Sequence, residues 1–224
     1  MPKKRAAWIH VGAPGAGDIL EPALVHHRRA LRELGFASLA HTTDESFRAA
    51  VEVLDGEQEW GLDGLGGQLA GLVRRGTRAK AHLIFSQPML AAATEPQIDR
   101  LADAFADHRV HVVVTAGGGD EGEVADRWLR AVRRPERLHV LEVDGAGPRC
   151  TWQAFGRVAG FGTASLPIDG VPPVVPRCDS LAHAQQELER LARRNAALET
   201  RVAELERKRR KLKRRLRAAD ATTG

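Results

Sequence analysis

Short apolar runs alternate with longer stretches of helical periodicity across residues 6–161, and this alternation restricts the fold more than any other feature. Ala6-Ala7-Trp8-Ile9-His10-Val11 lacks the polar alternate positions of a strand that faces water on one side. The runs His82–Ser86, Val110–Thr115 and Leu138–Val143 read the same way. Between and after them, residues 19–34, 43–54, 62–75, 95–107, 121–133 and 152–161 read as helices. In the first of these Leu20, Leu24, Leu31 and Leu34 share a helical period, and Gly35 is its stop. Thr94 is the expected N-cap of the helix at 95–107, with Pro96 at its first position. Apolar strands separated by helices predict an α/β fold, a parallel sheet with helices on both faces.

That body is expected to span residues 6–165. Residues 166–178 hold four prolines in thirteen positions and predict an extended linker. Residues 179–218 then read as one long helix. With Leu181 at a heptad a position, the a series runs Leu181, Leu188, Asn195, Val202, Arg209 and Leu216. The d series is Ala184, Leu191, Leu198, Leu205 and Leu212. Leu at successive d positions with a single Asn at a favours a parallel two-stranded coiled coil, because the buried Asn finds a partner only opposite its twin. The expected dimerisation residues are Leu188, Leu191, Asn195, Leu198, Val202, Leu205 and Leu212. Arg194 then faces Glu199, and Arg201 faces Glu206, across a homodimer.

Charge separates the two parts. Residues 1–177 carry 21 Lys and Arg against 22 Asp and Glu, whereas residues 178–224 carry 13 against 7. The net charge of +5 is therefore a property of the tail. Residues 207–217 hold nine basic residues in eleven, and Lys208 would face Lys213 across a dimer. Such a segment calls for an anionic partner, nucleic acid among them, although here the basic run follows the heptads and carries no arrangement for reading bases. Two cysteines, Cys150 and Cys178, are too few for a disulfide framework, and a reduced cytoplasm is the default. The basic start at Lys3-Lys4-Arg5 is followed by too short and broken an apolar run for a signal peptide. No apolar run approaches the roughly 20 residues that span a bilayer. The nine histidines show no metal-ligand spacing, so no metal is expected.

The loop Gly12-Ala13-Pro14-Gly15-Ala16-Gly17-Asp18 joins the first strand to the first helix, an arrangement that favours anions. Its candidate cofactor-binding residues are Gly12, Ala13, Gly15, Ala16 and Gly17. It lacks the Lys and Ser/Thr of a Walker A loop. The segment His10–Asp18, followed by His27-Arg28-Arg29 and Leu34-Gly35-Phe36, resembles the opening of bacterial sulfotransferase-family proteins. Ile84–Thr94, Val112–Ala116 with Trp128, Arg137–Val140, and Trp152 with Phe155 resemble later family segments in the same order. The resemblance implies a P-loop-like α/β fold and a 3′-phosphoadenosine 5′-phosphosulfate donor. Each functional position departs from the family pattern. The loop lysine falls at Gly15, the paired hydroxyls at Asp18 and Ile19, and the base at Gln87 or Pro88. The arginine for the 3′-phosphate falls at Gly117 or Gly118, and its partner serine at Ala125 or Asp126. No catalytic residue is assigned and no cofactor is expected. The reading is a catalytically degenerate, sulfotransferase-like protein that acts as a dimeric binding protein. A divergent sulfotransferase is the alternative, and an anionic-polymer binder acting through the basic coil end is another.

Overall fold

The computed structural model describes residues 4–12, 19–57, 61–62, 64–116, 121–132, 134–143 and 147–172, together with positions 202, 205, 207 and 209. The chain forms two compact units, Met1–Val175 and Pro176–Gly224.

The first unit is built on five strands: β1 (Ala6–Gly12), β2 (Phe36–Ser38), β3 (His82–Ser86), β4 (Arg109–Ala116) and β5 (Leu138–Glu142). All four pairings are parallel and the order is β2-β3-β1-β4-β5. The sequence reading missed β2, whose three residues are too short to show a period. Among the described residues seven α-helices pack on it: α1 (Leu20–His26), α2 (Arg28–Glu33), α3 (Thr43–Val53), α4 (Gln68–Arg78), α5 (Glu95–Ala104), α6 (Glu121–Val132) and α7 (Pro148–Ala159).

Successive β1 side chains point to opposite faces and enter two separate cores. Ala7, Ile9 and Val11 pack with α3, α4, α5 and α6, whereas Ala6 and Trp8 pack with α1 and α7. Every β1 residue is buried, as a central parallel strand requires. Right-handed crossovers explain the division. The chain leaves β1 toward β2 in one direction, and all later crossovers run the other way, which places their helices on the other face.

Several helix boundaries differ from the sequence reading: the last helix, expected at 152–161, spans Pro148–Ala159, and the one expected at 95–107 ends at Ala104. The single helix expected at 19–34 is two, because His27 leaves helical geometry at φ −90° and ψ 11°. Its ring lies 6.1 Å from Trp152, and its Nε2–H donates to the Pro167 carbonyl at 2.9 Å. Leu34, expected on the apolar stripe, is 44% exposed, while Leu20, Leu24 and Leu31 are buried. Gly35 does close α2, at φ +86°. The helix expected at 62–75 begins later, at Gln68, because Glu52 caps it from α3: its carboxylate accepts from the Gly67 and Leu69 N–H groups at 2.5 and 2.8 Å. Pro96 is the second residue of α5, not the first, and Thr94 with Gln97 forms a capping box.

The start of the proline-rich stretch packs on the body. Leu166 is fully buried, its carbonyl accepts from Trp152 Nε1 at 2.9 Å, and Ile168 and Val171 lie against the same core. In the second unit Val202, Leu205, Arg207 and Arg209 are helical and exposed. The expected dimerisation positions Leu188, Leu191, Asn195, Leu198 and Leu212 lie outside the described residues. Among the described residues, no helix is long and apolar enough to cross a membrane.

Candidate functional site at the carboxyl edge of the sheet

In open α/β sheets the ligand crevice lies beyond the carboxyl ends of the strands, where the direction of the crossovers reverses. Here that point is β1, flanked by β3 and β4. The distribution of polar groups marks the same place. The buried polar or charged residues among those described are His10, Glu21, Ser46, Ser86, Gln87, Thr115 and Thr151. His10, Ser86, Gln87 and Thr115 sit at the ends of β1, β3 and β4, while Glu21, Ser46 and Thr151 sit near the starts of α1, α3 and α7. Buried polar groups cost free energy unless they are paired, so such a grouping is held by its hydrogen bonds.

His10 is the centre. Nδ1 lies 2.8 Å from Ser86 Oγ and Nε2 lies 3.0 Å from Thr115 Oγ1, so one imidazole ties β3 to β4 across β1. Burial alone pushes its pKa down to about 3, and the ring is neutral at physiological pH. A neutral ring has one donor and one acceptor nitrogen, and both are engaged. The Ser86–His10 contact has the separation of a nucleophile–base pair. A base with a pKa near 3 gives little driving force for taking a hydroxyl proton at neutral pH, and Ser86 is itself buried. The balance favours a hydrogen-bonded clamp.

The site is poor in positive charge. Glu21 is its only ionisable acid or base besides His10 among the buried residues, and its carboxylate accepts a hydrogen bond from Ser46 Oγ. No Lys or Arg belongs to the buried set. Gln87 is buried just past β3, its backbone N–H donating to the His10 carbonyl at 3.1 Å, and Pro88 opens a 3-10 turn. Both positions where the family resemblance puts the base thus carry groups that cannot act as one.

Gly12 closes β1, in register with Thr115. Ala13, Gly15, Ala16 and Gly17 lie outside the described residues, as do Gly117 and Gly118. Ala125 and Asp126 are on α6, half-buried and exposed respectively. His10, Ser86, Thr115, Glu21 and Ser46 were missed by the sequence reading. The available signal was a polar residue near the end of each central apolar run, but only the strand order places them side by side. Cys150 is a free, exposed thiol. No group of three or more His, Cys, Asp or Glu that would hold a metal occurs among the described residues.

No protein-family model matches the sequence, and no curated protein matches it. Among solved structures, the chain is similar to the signal recognition particle 54 kDa protein from Aeropyrum pernix K1, determined in complex with GDP. The identity is 18%, the TM-score is 0.36, and the match covers 89% of this chain and 51% of that one. The chain therefore spans about half the length of that protein, and a likeness this loose carries no functional argument.

Proposed function

We infer that this chain is a sulfotransferase-like protein that has lost sulfuryl transfer and works as a dimeric binding protein. The observation that carries this reading is the charge of the carboxyl-edge site: a carboxylate, Glu21, and a neutral imidazole, with no buried cation among the described residues. Transfer from 3′-phosphoadenosine 5′-phosphosulfate develops negative charge on the leaving phosphate, which cations or oriented N–H groups must stabilise. It also needs a base on the acceptor hydroxyl. Loss of one electrostatic donor typically costs about 10²–10³ in rate, and here the loop lysine and the base are replaced together.

Association rests on the heptads. Val202 at a and Leu205 at d are helical, 55% and 52% exposed. A partner helix would cover such positions in a coiled coil. The Ser86–His10 contact favours a second reading, a divergent sulfotransferase that uses this pair.

Calorimetric titration with 3′-phosphoadenosine 5′-phosphate separates the two. The non-catalytic reading expects no heat, and micromolar binding would move the divergent enzyme ahead. Sedimentation tests the dimer. The full chain is expected to sediment as a dimer and the Leu198→Lys/Leu205→Lys variant as a monomer. A dimer in both would remove the heptads as its cause.

A further inference from the structure

The opposite edge of the sheet, at the amino ends of the strands, carries a cationic cluster. Arg5 precedes β1 and its carbonyl accepts from the Arg109 N–H at 2.7 Å, Arg109 begins β4, and Arg137 precedes β5. Lys4 Nζ donates to the Ala106 carbonyl at 2.8 Å. Neighbouring histidines register this charge. Burial lowers the pKa of His82, and Arg109 and Arg5 lower it further. Burial also lowers that of His108, with Arg5 and Lys4 acting in the same direction and Asp107 opposing. Glu136, the other nearby acid, pairs with Arg134 at 3.8 Å. Among the described residues Arg5, Arg109 and Arg137 form no ion pair.

A cavity of about 170 Å³ lies beside this cluster, against α5, α6 and β4. Ile98, Phe105, Val112 and Trp128 form part of its apolar wall, and His108 and Arg137 part of its polar wall. Four buried side-chain nitrogens lack a partner among the described residues, and two of them, His108 Nδ1 and Trp128 Nε1, belong to residues that line this cavity. Unpaired buried nitrogens are rare in folded proteins, because each gives up its hydrogen bond to water without replacement. The presence of both at one cavity, beside Arg137, which forms no ion pair among the described residues, fits a ligand that brings oxygen acceptors.

We propose that this cavity is a binding site for a small organic acid, with a ring-sized apolar body against Ile98 and Phe105 and its carboxylate on Arg137. An apolar cavity of about 150 Å³ takes up benzene. The space here therefore suits one ring or a short chain, and excludes a nucleotide or a long acyl chain. Arginine suits the other end, because its planar fork matches a carboxylate. The site is independent of the carboxyl-edge reading, since it lies at the other end of the strands.

The test uses the full-length protein and benzoate, with benzyl alcohol and acetate as comparators. The readout is the indole N–H resonance of Trp128 in ¹⁵N-correlated spectra, assigned with Trp128→Phe. Benzoate is expected to shift it saturably and to bind at least about tenfold more tightly than either comparator, since one lacks the charge and the other the ring. Arg137→Met, at the half-buried rim, is expected to abolish that advantage while the rest of the spectrum is retained. Ala102→Leu, which narrows the cavity from α5, is expected to weaken benzoate with unchanged circular dichroism. Absence of a saturable shift, equal binding of all three compounds, or unchanged benzoate affinity in Arg137→Met would each overturn the proposal.

Discussion

His10 Nδ1 and Ser86 Oγ lie 2.8 Å apart within the sheet, on strands whose registered Cα partners are these same two residues. Thr115, 3.0 Å from the other ring nitrogen, extends the link to β4. Three central strands are thus joined by side chains as well as by their ladders, at the edge where a ligand would bind.

The clamp makes the fold sensitive to acid. His10 has an ordinary pKa of 6.5 when unfolded and about 3 when folded. Below pH 6.5 the unfolded chain takes up a proton that the folded chain refuses. Stability therefore falls with falling pH, and the loss is complete once the pH passes below about 3. A shift of this size corresponds to roughly 4–5 kcal/mol. His27, His41, His82, His108, His111 and His139 are lowered too and act in the same direction. His10→Gln is expected to be less stable at neutral pH but to show a shallower acid limb in urea unfolding. Parallel acid limbs would remove His10 as a main source.

Breaking either arm of the clamp should cost more than a surface hydrogen bond. Ser86→Ala or Thr115→Val leaves a ring nitrogen of His10 buried and unpaired, at a cost of about 1–3 kcal/mol. For a body of this size that lowers Tm by roughly 2–12 °C. The two substitutions share a partner, so the double variant should depart from additivity. Additive losses measured by thermal unfolding would mean that the two contacts are independent.

Trp8 reports a second imidazole. His111 stacks on it with ring centroids 4.3 Å apart, and His111 Nδ1 lies 3.3 Å from His139 Nε2. Burial first, then His139, Arg109 and Arg137, push the His111 pKa down to about 4. Trp8 emission is therefore expected to stay constant through neutral pH and to be quenched near pH 4 as the stacked ring gains its proton. His111→Gln should abolish the transition, and a midpoint near 6.5 would show the ring to be freely solvated.

Gly156 marks a close approach in α7. A Cβ there would overlap Thr163 Cγ2 and lie 3.0 Å from the Phe161 carbonyl oxygen. The backbone oxygen cannot move aside as a side-chain tip can. Gly156→Ala is expected to destabilise by about 1–3 kcal/mol despite its better helix propensity. A neutral or raised midpoint in urea would mean that the 161–166 segment yields freely.

Short apolar runs sufficed to identify β1, β3, β4 and β5 and the α/β class; β1, β3 and β4 are central strands that packing on both faces requires to be mostly apolar, whereas β5 is an edge strand in which only Leu141 is buried. They could not reveal β2, which has only three residues, nor the break at His27, which depends on Trp152 and the Pro167 carbonyl more than a hundred residues away. The glycine-rich loop stood out because local composition suffices to mark it, and that drew attention to Gly12 rather than to the histidine two residues before it.

The sequence by itself determined the layering, the placement of Gly35 and Thr94 at helix ends, and the concentration of positive charge in the tail. Each is a local property, carried by neighbours along the chain. The strand order β2-β3-β1-β4-β5 was decided only by the tertiary structure. That order sets His10 between Ser86 and Thr115 and gathers Arg5, Arg109 and Arg137 at the opposite edge. These groups are 76 or more residues apart for His10 and its partners. Their meeting, and the depressed pKa that follows from it, depends on which strands lie side by side and how deeply packing excludes water around them.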